Sequence, residues 1–145
     1  LCLSHLRWDF VTQRPQHLMT RAAREHEVTF FQEPLVDANA PATGALRTTQ
    51  DEGVRVVTPI LRPDMDAADR TEALRALLDR ALPTGGDVDV AWYYSPMMLA
   101  ISRHLQPDVT VYDCMDELSA FLHAPAELRA LEAELMDRAD LVFTG

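Results

Sequence analysis

Short apolar runs alternate along the chain with longer stretches of helical period. The runs at Leu1–Ser4, Val28–Gln32, Val54–Pro59, Val88–Tyr94, Val109–Tyr112 and Leu141–Thr144 are rich in Val, Phe, Leu or Tyr. Being apolar on both faces, they predict the strands of a buried parallel sheet. Four helical patterns lie between them. "PQHLMTRAARE" opens on a proline, which suits a first helical position, and sets Leu18, Met19 and Ala22 inward. "DAADRTEALRALLDRAL" has acidic residues in its first turn and a stripe of Leu74, Leu77, Leu78 and Ala81. "SPMMLAISRHL" starts at a Ser-Pro cap and carries Met97, Ile101 and Leu105. "APAELRALEAELMDRA" repeats that spacing with Leu128, Leu131 and Leu135.

Strands alternating with helices of this length predict βαβ units. The expected fold is an α/β, Rossmann-like three-layer sandwich with a mainly parallel sheet of about six strands. Leu35–Gly53, "LVDANAPATGALRTTQDEG", shows no clean period and reads as a long surface loop. "PTGG" at 83–86 reads as a helix-to-strand turn. The chain begins within an apolar run and stops directly after "DLVFTG", where a further helix is expected, so it reads as a piece of something longer.

Composition narrows the chemistry. The 145 residues, 48% hydrophobic and 25% charged, suit one folded domain. A net charge of −10 argues against nonspecific nucleic-acid or anionic-membrane binding. All 13 basic residues are arginine, which excludes Schiff-base chemistry and a phosphate-loop lysine. Cys2 and Cys114 lie in strand-like runs and read as buried thiols of a reducing compartment. No signal peptide, CxxC pair or long apolar span appears.

In an open parallel sheet, ligands bind beyond the carboxyl ends of the strands. Three segments would meet there: His5–Arg14, Tyr93–Met97 and Asp113–Phe121. The first lacks GxGxxG, which counts against a dinucleotide site, so recognition there would fall to side chains. Trp8 is a candidate apolar or sugar-stacking wall, and Arg7 and Arg14 are candidates for an anionic oxygen. Gln16 and His17 sit in the expected first helical turn. The plainer alternative makes Trp8 a core plug and pairs Arg14 with a strand-end aspartate. "YDCMDEL" gathers Asp113, Asp116 and Glu117, which would bind hydroxyls, orient an arginine, act as a base or cap a helical turn. The spacing matches no closed zinc pattern, and strand alternation points Asp113 and Cys114 to opposite faces, so no metal site is expected. Of Tyr93 and Tyr94, one ring is expected in the core and the other at the cleft.

"SHLRWDFVTQRPQHLMTRAA", "VYDCMDELSAF" and "RADLVFTG" together resemble the amino-terminal part of a bacterial glycosyltransferase family, the group related to the teichuronic acid enzyme TuaH. That family belongs to the GT-B class, built from two facing Rossmann-like domains, and the resemblance runs over essentially the whole chain. It implies that residues 1–145 are the acceptor-side domain, with a separate carboxyl-terminal domain gripping the nucleotide diphosphate of a sugar donor. Transfer would go to a saccharide or glycolipid acceptor in cell-envelope polysaccharide synthesis, without an obligatory metal or resident cofactor. The implied setting is cytoplasmic, at the inner face of the membrane where other parts of the protein provide contact. By the same resemblance, Asp116 or Asp113 would approach the transferred sugar. His5, Arg7, Trp8, Arg14, Gln16, His17, Tyr94 and Glu117 would line the substrate side. Relatives often have a histidine where this chain has the aspartate. The residues leave two alternative classes: an epimerase or reductase, which wants a glycine-rich first turn that this chain lacks, and a non-catalytic sugar- or nucleotide-binding domain.

Overall fold

The apolar runs become strands β1 (Cys2–Leu3), β2 (Val28–Phe31), β5 (Val54–Leu61), β6 (Val90–Tyr93), β7 (Val109–Cys114) and β8 (Leu141–Thr144) in the computed structural model. It describes residues 1–82, 87–116, 118 and 125–145. Two further strands, β3 (Leu35–Val36) and β4 (Ala45–Asp51), lie inside the segment expected to be a loop. Helices α1 (Arg14–Ala22), α2 (Ala67–Ala81), α3 (Leu99–Ser102) and α4 (Leu128–Arg138) connect the frame. A 3-10 turn at Pro96–Met98 leads into α3, so "SPMMLAISRHL" is a turn and a short helix, not one long helix.

All strands join one sheet, with neighbours running β5-β2-β1-β6-β7-β8 and with β3 and β4 also paired to β5. Counting only the six-strand frame in chain order, this is the 3-2-1-4-5-6 order of doubly wound α/β proteins. Every pair is parallel except β4 with β5. Ile60 pairs with Ala45 of β4 and with Leu35 of β3, so those two strands flank opposite edges of β5. Val54 likewise pairs with Asp51 and Val28, which puts β3 on the same edge as β2.

The loop expectation for Leu35–Gly53 fails because β4 is a polar edge strand. Its residues, "ALRTTQD", are exposed or half-buried, so no apolar alternation marks them. The pairing closes through Glu52 and Gly53, both with positive φ (45° and 84°) between the paired Asp51 and Val54. That is the backbone of a two-residue hairpin turn, and glycine meets its second position without strain.

Side chains divide cleanly between the two sheet faces, as the two-residue strand period requires. On one face Leu3, Phe31, Val57, Ala91, Tyr93 and Tyr112 pack against Leu78 and Ala81 of α2, Leu99 and Ile101 of α3, and Leu131 and Leu135 of α4. On the other, Cys2, Val28, Phe30, Val54 and Val56 pack under Trp8 and under Met19 of α1. Each fully buried side chain of this size contributes about 1.5–3 kcal/mol. Asp66 caps α2 by accepting from the Asp69 amide at 2.9 Å. Beyond α1, toward β8, the second face is more open: Leu141 and Phe143 are exposed, and Phe143 stacks on Trp92 at 5.7 Å. Among the described residues, no helix is long and apolar enough to cross a membrane.

Candidate functional site

The strand order reverses between β1 and β6, so the carboxyl ends of these strands open the crevice where such sheets bind ligands. From β1 the chain turns at Ser4, whose buried hydroxyl accepts from the Leu6 amide at 3.0 Å. The following loop is tied down by side chains. Gln16 donates to the Trp8 and Val11 carbonyls at 3.0 and 3.1 Å and accepts from the Gln13 amide at 3.0 Å. Gln32 accepts from the Trp8 amide at 2.8 Å and donates to Thr58 at 2.8 Å, fixing the loop to β5.

Trp8 is the core plug of the alternative reading. Its ring meets Phe30 edge-on at 4.9 Å, and its Nε1 donates to Asp51 at 2.7 Å. Gln16 is buried as the loop's clamp, and His17 faces outward on α1. Arg7 pairs with Glu33 at 2.8 Å, both side chains 43% exposed. These four side chains are engaged in the fold or turned to solvent, and they do not converge on the strand ends as a group.

A second set does converge. Arg14, in the first turn of α1, places Nη2 3.1 Å from Oδ1 of Asp113 on β7. The Asp113 side chain is 0% exposed and that of Arg14 is 39% exposed. The contact is an ion pair without aligned hydrogen bonding, and neither carboxylate oxygen has a hydrogen-bond partner among the described residues. Tyr94, directly after β6, is buried beside them, its hydroxyl near the Asp113 carboxylate and without an aligned hydrogen bond among the described residues. Burial, with the nearby Cys2 thiol and Asp113 carboxylate, pushes its phenol pKa well up, so the hydroxyl stays a donor. Tyr93 points into the opposite core and shares a 2.9 Å hydrogen bond with Ser102. Asp113 and Cys114 face opposite sides of the sheet, with Cys114 against the three-helix core.

His5 sits half-buried at the same end, its Nδ1 buried and without a hydrogen-bond partner among the described residues. Burial lowers its pKa, against the opposing pull of Glu33, the Tyr94 backbone and Asp116. The imidazole is therefore neutral near pH 7. Asp116 is exposed, and its carbonyl accepts from the Leu118 amide at 2.9 Å. Glu117 and the expected turn at 83–86 lie outside the described residues. Three participants escaped the sequence reading: Gln32, Glu33 and Gly145. Gly145 donates to the Cys114 carbonyl at 3.2 Å, and a Cβ there would lie 3.5 Å from Arg14 Nη1. The polar pair Gln32-Glu33 ending an apolar run was the available signal for the first two.

The arrangement offers hydrogen bonds. Arg14 keeps exposed N–H donors, Asp116 offers an exposed carboxylate, and the buried Asp113 and Tyr94 form the floor behind Arg14. Among the described residues, no group of three His, Cys, Asp or Glu is placed to hold a metal ion.

No family model matches the chain, and no curated protein matches it. Solved structures do. An α,α-trehalose-phosphate synthase (UDP-forming) from Burkholderia xenovorans, in complex with glucose-6-phosphate, aligns over 97% of this chain with a TM-score of 0.57 and 14% identity. An E. coli structure described as "Trehalose-6-phosphate from E. coli bound with UDP-2-fluoro glucose" aligns over 97% with a TM-score of 0.56 and 13% identity. This chain spans 39% and 38% of their respective lengths. The likeness shows the fold: an α/β Rossmann-like sandwich with a mostly parallel sheet, consistent with the amino-terminal half of a GT-B structure.

Proposed function

We propose that the chain is the acceptor-side half of a glycosyltransferase that moves a sugar from a nucleotide-diphosphate donor to a saccharide or glycolipid acceptor. The observation that carries this reading is the glycine-free first turn at the strand-order reversal. Its loop is closed by Gln16, Gln32 and Trp8, and offers hydrogen-bonding side chains beside it in place of a backbone cradle for a pyrophosphate. The fold likeness to a UDP-forming synthase more than twice as long supports it, since such a protein has room for a second, donor-binding domain. The finer placing in the TuaH-related group, with a cytoplasmic site at the inner membrane face and a role in cell-envelope polysaccharide, rests on the motifs "RPQHL" and "YDCMDELSAF".

In this reading the two aspartates divide the work. Asp116 is exposed and contacts the sugar, whereas Asp113 is enclosed and acts by holding Arg14. Charge developing on the departing nucleotide diphosphate would be stabilised by the donor domain. This half would orient the acceptor and exclude water as the cleft closes.

Two measurements test it. Purified chain given a UDP- or GDP-sugar and a saccharide acceptor is expected to release almost no free nucleotide, because half the cleft is lacking. Robust turnover by these residues alone would contradict the reading. In the two-domain enzyme, Asp116→Ala is expected to lower kcat/KM by about 10²-fold with Tm unchanged, the signature of lost positioning. An unchanged rate would make Asp116 a turn-forming residue only.

A further inference from the structure

We infer that the acceptor site selects an uncharged, polyhydroxyl sugar over a phosphorylated one; this rests on the acceptor-side reading above. The two arginines of the segment from β1 through the first turn of α1 are both paired. Arg7 pairs with Glu33 at 2.8 Å and Arg14 with Asp113 at 3.1 Å. The chain has no lysine, and His5 is held neutral by burial. Against these stands Asp116, an exposed carboxylate at the same strand end. The described charges at the mouth therefore sum to neutral or negative, the wrong balance for a phosphate monoester.

Arg14 is not free to leave its partner. Asp113 is wholly enclosed, and neither of its oxygens has a hydrogen bond among the described residues to replace the guanidinium. Drawing Arg14 onto an anion would strand a buried carboxylate, which is strongly destabilising. The buried Tyr94 hydroxyl beside it is a neutral donor, which can solvate the Asp113 carboxylate but cannot neutralise it as the guanidinium does. What the pair leaves available is a set of charge-compensated N–H donors on Arg14, with the exposed carboxylate of Asp116 following the same strand end. Vicinal hydroxyls, each both donor and acceptor, match that combination.

The test is a titration of the isotope-labelled chain with glucose, glucose 6-phosphate and inorganic phosphate, followed at the Arg14 Nε–H and the Gly145 amide. Glucose is expected to shift both signals and to bind at least about tenfold more tightly than glucose 6-phosphate, with inorganic phosphate leaving them unmoved. Asp113→Asn keeps the shape of the side chain while releasing the Arg14 charge, so it is expected to reverse the preference toward the phosphorylated sugar. Tighter binding of glucose 6-phosphate by the unaltered chain would overturn the inference while leaving the acceptor-side reading intact. Absence of any shift with either sugar would overturn both. A variant with unchanged preference would show that Asp113 does not set the charge balance.

Discussion

Arg14, in the first turn of α1, lies 3.1 Å from Asp113, a fully buried carboxylate on β7. The pair ties the helix after the first strand to the fifth strand of the parallel frame, across the crevice where the strand order reverses. Removing one partner is therefore unequal to removing the other. Arg14→Gln leaves a buried charge unpaired and is expected to cost about 2 kcal/mol, the buried-pair figure reduced because the guanidinium is partly solvated. Asp113→Asn leaves only a solvated arginine and is expected to cost about 1 kcal/mol. The double variant should be more stable than the sum of the two losses, read as a positive coupling in urea denaturation. Strict additivity would mean that the contact contributes nothing.

Trp8 contributes through packing and through one hydrogen bond, and the two can be separated. Trp8→Phe keeps a ring against Phe30 but loses the bond to Asp51, and is expected to cost about 1 kcal/mol. Trp8→Ala opens a cavity between α1 and the sheet, with an expected cost of about 3–5 kcal/mol. Equal losses in thermal denaturation would mean that the ring itself is not packed.

His5 gives the fold a pH dependence whose sign is fixed by burial. Its pKa in the fold lies below the ordinary value of 6.5, so the unfolded chain takes up the proton first. His5 therefore costs no stability above pH 6.5, and its penalty grows as pH falls from 6.5 toward the depressed folded value. Denaturation midpoints measured from pH 7.5 down to 5.5 should fall more steeply for the natural chain than for His5→Asn. Parallel curves would place the imidazole in solvent.

Much of this architecture was legible because buried parallel strands advertise themselves. The runs around Phe30, Val56 and Tyr112 are apolar on both faces, and the leucine stripe of α2 needs no further context. β4 was invisible for the opposite reason. An edge strand facing solvent carries Arg47, Thr48, Thr49 and Gln50, whose pattern does not differ from a loop's, and its hairpin turn uses Glu-Gly in place of the commoner Asn-Gly.

At the crevice, the sequence brings Arg14, Tyr94 and Asp113 to one end of the sheet but does not rank the side chains around them. Arg14, Trp8 and Gln16 are near neighbours in one short stretch, yet one reaches a strand-end carboxylate, one fills the core and one ties the loop. Those outcomes depend on the direction in which the loop doubles back over β2. That direction is set by Gln32 and Asp51, distant in sequence from the loop they hold.

On the proposed function, this chain meets a saccharide and leaves the nucleotide to another domain. Mapping backbone-amide shifts while UDP and then glucose are added to the labelled chain tests it most directly. Glucose is expected to move Tyr94, Cys114, Met115 and Gly145 around the Arg14–Asp113 pair, while UDP moves none of them. Saturable UDP binding centred on the loop from His5 to Gln13, with no response to glucose, would contradict it.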